Sequence, residues 1–119
     1  MSNIIEKKEV LNTAYTYMEK LISGINAAVE LFRAGNEYDA LEYMKYIIEG
    51  LQWEIEVLAL TRSEIVQDLN PDEINGFLTE MVNALENTDY VLLADLMEYE
   101  IMPILEKWYN ALKITIGEQ

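Results

Sequence analysis

The first third of the sequence carries apolar residues at alternating spacings of four and three, without a break. This row consists of Leu11, Tyr15, Met18, Ile22, Ile25, Val29 and Phe32. An α-helix brings residues three and four positions apart onto one face, whereas a β-strand alternates every two residues. The pattern therefore predicts a long amphipathic helix over residues 4–34, whose apolar face must pack against other elements.

A second helix is predicted over residues 37–62. Gly35 lies where a left-handed helix C-cap would end the first helix, and so short a turn makes the two helices antiparallel neighbours. The predicted core-facing seam of helix two consists of Leu41, Met44, Ile48, Leu51, Ile55 and Leu58.

Helix two also carries a second apolar row, which lies two positions out of phase with the seam. It consists of Tyr43, Tyr46, Gly50, Trp53, Val57 and Leu60. Two residues correspond to about 200° of helical rotation, so this row should lie nearly opposite the seam. The neighbours of a helix in a four-helix bundle lie about a right angle apart. The second row is therefore hard to bury inside one bundle.

Two further helices are predicted over residues 71–86 and 89–115, beginning after the capping residues Asn70 and Asp89. Residues 63–69 either extend helix two or form a separate turn. In the fourth helix Pro103 removes the hydrogen-bond partner of the Tyr99 carbonyl, which predicts a kink near residues 99–103. The predicted seam of this helix consists of Ala94, Met97, Ile101, Ile104, Trp108 and Ala111.

Together these patterns predict an all-α, antiparallel four-helix bundle built from two helical hairpins. Its length suits one domain over residues 1–119. We expect the other helices to pack around the fourth one. No segment resembles a signal peptide or a membrane span, so we expect a cytoplasmic protein.

The composition excludes several classes of function. The 22 acidic and 8 basic residues give a formal charge of -14, which disfavours binding to nucleic acid and to anionic membranes. The sequence has neither cysteine nor histidine, which rules out disulfides, histidine-based catalytic triads and histidine-ligated zinc. No phosphate-binding glycine loop or calcium loop is present, and we expect no cofactor.

Carboxylates remain as candidate metal ligands. Glu54 and Glu56 on helix two could cluster with Asp95 and Glu98 on helix four around magnesium. All-α nucleotide pyrophosphatases are similar in outline, because acidic helices hold magnesium and water attacks the substrate. A magnesium-dependent hydrolase is therefore one hypothesis, although the solvated surface of a helix accounts for the same residues.

The second row of helix two leads to a different hypothesis, which we favour. Its side chains Tyr43, Tyr46, Trp53, Val57 and Leu60 are of the types enriched in interface cores. They predict a non-enzymatic protein-binding module that contacts a partner helix. Two alternatives remain: a structural homodimer in which the row meets its own copy, and packing against residues 63–70 or the N-terminal end.

Residues 28–58 read AVELFRAGNEYDALEYMKYIIEGLQWEIEVL and resemble the flagellar export chaperone family FliS. That family has a helix, a short turn and a second helix that begins with alanine and leucine. Gly35, Asn36, Ala40 and Leu41 occupy those places. The resemblance implies a helical chaperone that binds the helical tail of flagellin along apolar grooves. The chain also looks like small uncharacterised helical proteins of Gram-positive bacteria, a likeness that implies no function.

Overall fold

The computed structural model describes residues 2–117, with the side chains of residues 6–117, so the predicted domain limits at residues 1 and 119 lie outside it. Its α-helices are α1 (Ser2–Arg33), α2 (Glu37–Leu60), α3 (Asn75–Glu86), α4 (Tyr90–Asp95) and α5 (Met102–Gly117). A π-helical segment, Leu96–Ile101, joins α4 and α5 into one fourth helix. The described residues form no β-strand. The predicted all-α four-helix bundle is confirmed.

The helices pack in the order α2, α1, fourth helix, α3. Phe32 stacks on Tyr90 with ring centroids 5.2 Å apart, and Tyr15 stacks on Tyr109 at 5.0 Å. The later α1 residue, Phe32, meets the earlier residue of the fourth helix, Tyr90, and the earlier α1 residue, Tyr15, meets the later one, Tyr109. The two helices are therefore antiparallel. It is α1 that contacts both α2 and the fourth helix. Of the helices expected to pack around the fourth one, α1 and α3 lie close against it, whereas α2 packs mainly on α1.

One connected apolar core runs along the bundle, which measures 50 × 22 × 20 Å. Burial of this apolar surface is the main driving force for folding. Its largest fully buried side chains come from all parts of the bundle and include Leu11, Met18, Ile25, Ile47, Leu51, Met81, Leu93, Met97 and Trp108.

The turn between α1 and α2 has the geometry that its glycine predicts. Gly35 has a φ of 79°, in the left-handed region that glycine adopts without a steric penalty. The backbone N–H of Asn36 donates to the Leu31 carbonyl at 2.8 Å, and that of Gly35 donates to Phe32 at 3.1 Å. These two hydrogen bonds form a Schellman motif, so the predicted C-cap is confirmed.

Asn70 and Asp89 both cap helical segments. The Asn70 side chain accepts a hydrogen bond from the Asp72 N–H, and the Asp89 side chain accepts one from the Leu92 N–H, each at 3.2 Å. After Asn70, however, the chain first forms a 3-10 turn over Pro71–Ile74. The α-helix α3 begins only after this turn, since 3-10 geometry is common in the first turn of a helix.

Residues 63–69 do not extend helix two. The helix ends at Leu60, and a short 3-10 turn follows at Arg62–Glu64. Ile65 and Leu69 turn inwards and are buried. The segment therefore covers the end of the core, which explains its apolar residues without a longer helix.

The π segment ends two residues before Pro103, and the kink predicted near residues 99–103 stays a prediction. Within the π segment the Met102 N–H donates to Met97, five residues back rather than four. The wider turn adds one residue to the helical repeat. Five of the six residues of the predicted seam are nevertheless buried: Ala94, Met97, Ile101, Trp108 and Ala111. Leu105 is fully buried, whereas Ile104 of the predicted seam is only half-buried.

Candidate functional site

Helix α2 turns a different face to the core from the one that its sequence predicts. Ile48 and Ile55, both assigned to the seam, are only half-buried. The buried residues of α2 are Ala40, Met44, Ile47, Gly50, Leu51, Glu54, Val57 and Leu58. The core-facing side is thus rotated towards the second apolar row. This row lies at the edge of the contact with α1, and the prediction that it lies opposite the core is wrong.

Close packing of α1 on α2 depends on a glycine. A Cβ atom at Gly50 would lie 2.8 Å from the Tyr17 hydroxyl oxygen and 3.1 Å from a methyl carbon of Leu21. The Tyr17 ring also meets Trp53 edge to face, with centroids 5.6 Å apart and planes at 71°. Tyr17 therefore crosses the α2 backbone at Gly50 and fixes the position of Trp53.

The α1–α2 groove lies on the outer surface between these two helices. One depression in it has a volume of about 230 Å³. The lining residues are Tyr17, Lys20, Leu21, Gly24, Tyr43, Tyr46 and Ile47. A Cβ atom at Gly24 would lie 3.9 Å from the nearest ring carbon of Tyr43, which is an ordinary contact distance. Two adjoining hollows, of about 460 and 320 Å³, share Lys20 with it and are more open to solvent. Small-molecule sites are usually concave and largely enclosed, so this open surface better suits the side chains of a partner.

A second depression opens further along the same pair of helices and has a volume of about 280 Å³. Its lining residues are Glu6, Lys7, Val10, Val57, Leu60 and Thr61. The two depressions lie on the same side of α2, because Tyr46 and Leu60 are two heptads apart in one helix. They define an elongated surface rather than an enclosed pocket.

The five residues predicted to bind a partner lie along this surface, but they differ in exposure. Tyr46 is 67% exposed and Leu60 is 73% exposed. Tyr43 is 39% exposed and lines the first depression. Trp53 is half-buried against Tyr17, and Val57 is buried. Trp53 therefore packs on the middle of α1, whereas the sequence suggested residues 63–70 or the N-terminal end as its alternative contacts.

The α1 side of the groove was not predicted from the sequence. Tyr17 and Gly24 line it, and both belong to a row with spacings of three and four beside the main apolar face of α1. The whole row is Val10, Thr13, Tyr17, Lys20, Gly24 and Ala27. The spacing was a usable signal, but its mixture of small, polar and charged residues concealed it.

The four carboxylates proposed as magnesium ligands are not brought together. Asp95 and Glu98 pair with Arg33 at 2.9 and 3.5 Å, at the opposite end of α2 from Glu54. The intervening length of α2 is about 25 Å, from its rise of about 1.5 Å per residue. Glu56 is exposed, whereas Glu54 is buried. Within residues 2–117, no group of three or more potential ligands could hold a metal ion.

Glu54 is an unusual member of the core. Its side chain is fully buried, and neither carboxyl oxygen has a hydrogen-bond partner among the described residues. Burial removes the charged form from water and raises the pKa of Glu54 to about 8. The group is therefore mainly a neutral acid at pH 7, a form that binds cations poorly.

The sequence matches the family described as DUF8042, a domain of unknown function, over residues 9–111. This span reaches from the first turns of α1 into α5 and includes both sides of the groove. No curated protein matches the sequence, and neither does any solved structure. No helix in the described part of the chain is both long enough and apolar enough to cross a membrane.

Proposed function

We propose that this chain, which belongs to the DUF8042 family, is a non-enzymatic protein-binding module that holds a helix of a partner protein in the α1–α2 groove. One observation carries this proposal. Large apolar side chains, Tyr46 and Leu60, stand exposed along a groove that also contains Tyr43 and Tyr17. Exposed apolar surface arranged in this way is typical of interaction sites.

The dimensions of the surface suit a helix. Tyr46 and Leu60 are separated by about 21 Å along α2, from the rise of about 1.5 Å per residue. A partner helix of about four turns would span this distance and could place one apolar side chain in each depression. Tyrosine and tryptophan contribute large contact areas at low entropic cost, because their side chains have few rotatable bonds. Recognition would then be of the helix-in-groove type.

The likeness of residues 28–58 to the FliS chaperones supports the same mode of binding. Those residues form the end of α1, the Gly35 turn and most of α2, and so include much of the groove. A chaperone-like adaptor, which covers an apolar helix of a client until it is needed, is the form of the proposal that this likeness favours.

A double variant, Tyr46→Asp with Leu60→Asp, tests the proposal. Both side chains are largely exposed, so the fold should persist while two charges disrupt the apolar surface. Val91→Asp is the matched control, because Val91 is 71% exposed on α4. Affinity capture from cells should yield a protein that the parent and the control retain and the double variant loses. A partner that all three retain, or none at all, would contradict the proposal.

Light scattering across a concentration series separates this function from a structural homodimer. A parent dimer that the double variant converts into a folded monomer would show that the row meets its own copy. The module would then have no client at this surface. Trp53 is a poorer choice for the substitution, because its contact with Tyr17 also contributes to packing.

A further inference from the structure

A line of acidic residues borders the α1–α2 groove on its α2 side. Glu42, Glu49 and Glu56 follow one another at seven-residue spacing. Seven residues turn an α-helix by about 700°, only about 20° short of two full turns. The three carboxylates therefore form a line along α2, and all three are exposed.

This acidic line runs directly beside the apolar row. Each glutamate precedes an apolar residue by four positions: Glu42 precedes Tyr46, Glu49 precedes Trp53, and Glu56 precedes Leu60. Residues four apart are neighbours on a helix surface. Any helix that covers the apolar row must therefore place one of its own edges against the three carboxylates.

The carboxylates are available to such a helix. Glu42, Glu49 and Glu56 belong to none of the ion pairs within the described residues, which involve Glu64, Asp68, Glu73, Asp95 and Glu98 instead. Lys45 lies close in sequence to Glu42 and Glu49 but forms no ion pair with either in that part of the chain. Apart from the neighbouring Lys45, the acidic line is exposed charge that no ion pair of the described residues neutralises.

The α1 side of the groove has a different character. Most of the α1 residues that line its outer surface are uncharged, among them Asn12, Thr13, Thr16 and Ser23. The charged ones are Glu6 with Lys7 and Glu19 with Lys20, two residues of each sign. The negative charge is therefore one-sided, which gives an occupant a preferred orientation about its own axis.

We propose that the groove receives an amphipathic helix of another protein that carries lysine or arginine residues at seven-residue spacing beside its apolar face. This inference rests on the proposed function and adds the chemical character of the partner. Its apolar face covers Tyr43, Tyr46 and Leu60, and its basic edge lies along Glu42, Glu49 and Glu56. A second copy of this chain does not fit, because none of its basic residues are seven or fourteen positions apart.

The test uses three synthetic helical peptides of about three heptads. All have leucine at the two apolar positions of each heptad, and one flanking position carries lysine, glutamine or glutamate. We expect the lysine peptide to bind about tenfold more tightly than the glutamine peptide, since three exposed ion pairs each contribute modestly. The glutamate peptide should bind most weakly, and titration calorimetry measures all three.

Two triple variants of equal charge provide the control. Glu42→Gln with Glu49→Gln and Glu56→Gln should remove the preference for lysine. Glu80→Gln with Glu86→Gln and Glu100→Gln changes three exposed glutamates away from α2 and should leave that preference unchanged. A lysine peptide that binds no better than the glutamine peptide, or that both triple variants weaken equally, overturns the inference.

These outcomes are distinct from a failure of the proposed function. Equal binding of the lysine and glutamine peptides, lost in the Tyr46→Asp, Leu60→Asp double variant, would retain the groove as a helix-binding site and reject only its preference for basic partners. Equal binding that the double variant leaves unchanged would reject the groove as the site as well.

Discussion

At the scale of single residues, Glu54 departs furthest from expectation. Alternating apolar spacing assigns Glu54 to neither row of α2, yet it is fully buried. The reason is that α2 is rotated so that Gly50 faces Tyr17 of α1. Burial raises the pKa of Glu54 from an ordinary value of 4.5 to about 8. Between these two values the unfolded chain releases the proton and the folded chain retains it. Stability is therefore lost as the pH rises through this window, and below it Glu54 has no such effect.

Glu54→Gln, whose side chain resembles the protonated acid in shape, should remove the loss of stability that accompanies rising pH. At pH 7 we expect the variant to have a free energy of unfolding higher than the parent by about 3 kcal/mol, with little difference at pH 4. Urea denaturation at several pH values measures it. Glu56→Gln is the control, because Glu56 is exposed and should show no such trend. If the stability of the parent and of Glu54→Gln changes with pH in the same way, Glu54 is not a buried neutral acid.

At the scale of elements, burial along the fourth helix follows the predicted seam except at one position. Five of the six seam residues are buried, and Ile104 is only half-buried. Its neighbour Leu105, outside those six, is fully buried.

The different burial of Leu105 and Ile104 predicts that their substitutions destabilise the protein to different extents. Leu105→Ala should lower the free energy of unfolding by about 2–5 kcal/mol, the usual cost of truncating a fully buried leucine. Ile104→Ala should cost clearly less, because its side chain is only half-buried. Thermal and urea unfolding of the two variants measure the difference. A larger cost at Ile104 would contradict the relative burial of these two side chains.

Local signals in the sequence predicted much of the fold. The α1 row, the Gly35 turn and the caps at Asn70 and Asp89 depend on residues a few positions apart. The rotation of α2 depends instead on contacts between distant residues, such as Tyr17 with Gly50. The α2 side of the candidate groove could be predicted from its aromatic residues. Its α1 side could not, because Tyr17 and Gly24 belong to a row of mixed polarity.

At the scale of the whole molecule, charge is unevenly distributed. Between Arg62 and Lys107 there are eleven acidic residues and no basic one, and this interval contains α3, α4 and the π segment. Ion pairs with Lys7, Arg33, Arg62 and Lys107 compensate part of this charge. A formal charge of -14 on so small a molecule still opposes the compact state through self-repulsion.

Salt should therefore stabilise this protein. Raising the salt concentration from about 0.01 M to about 1 M shortens the Debye length from about 30 Å to about 3 Å. We expect the free energy of unfolding to rise by about 1 kcal/mol, because repulsion is screened more than the few exposed ion pairs are weakened. Thermal unfolding at graded salt measures this effect. Salt should stabilise the triple variant at Glu80, Glu86 and Glu100 less than it stabilises the parent. If the two rises in stability are equal, the repulsion comes from other residues.

The two tryptophans occupy different surroundings, since Trp108 is fully buried in the core and Trp53 lies half-buried beside the groove. An indole shielded from water fluoresces at shorter wavelength than a hydrated one. Trp108→Phe would leave an emission spectrum that senses events at the groove, and Trp53→Phe would leave one that senses the integrity of the core. The protein thus contains two intrinsic optical probes, by which occupancy of the groove and unfolding can be followed separately without any attached dye.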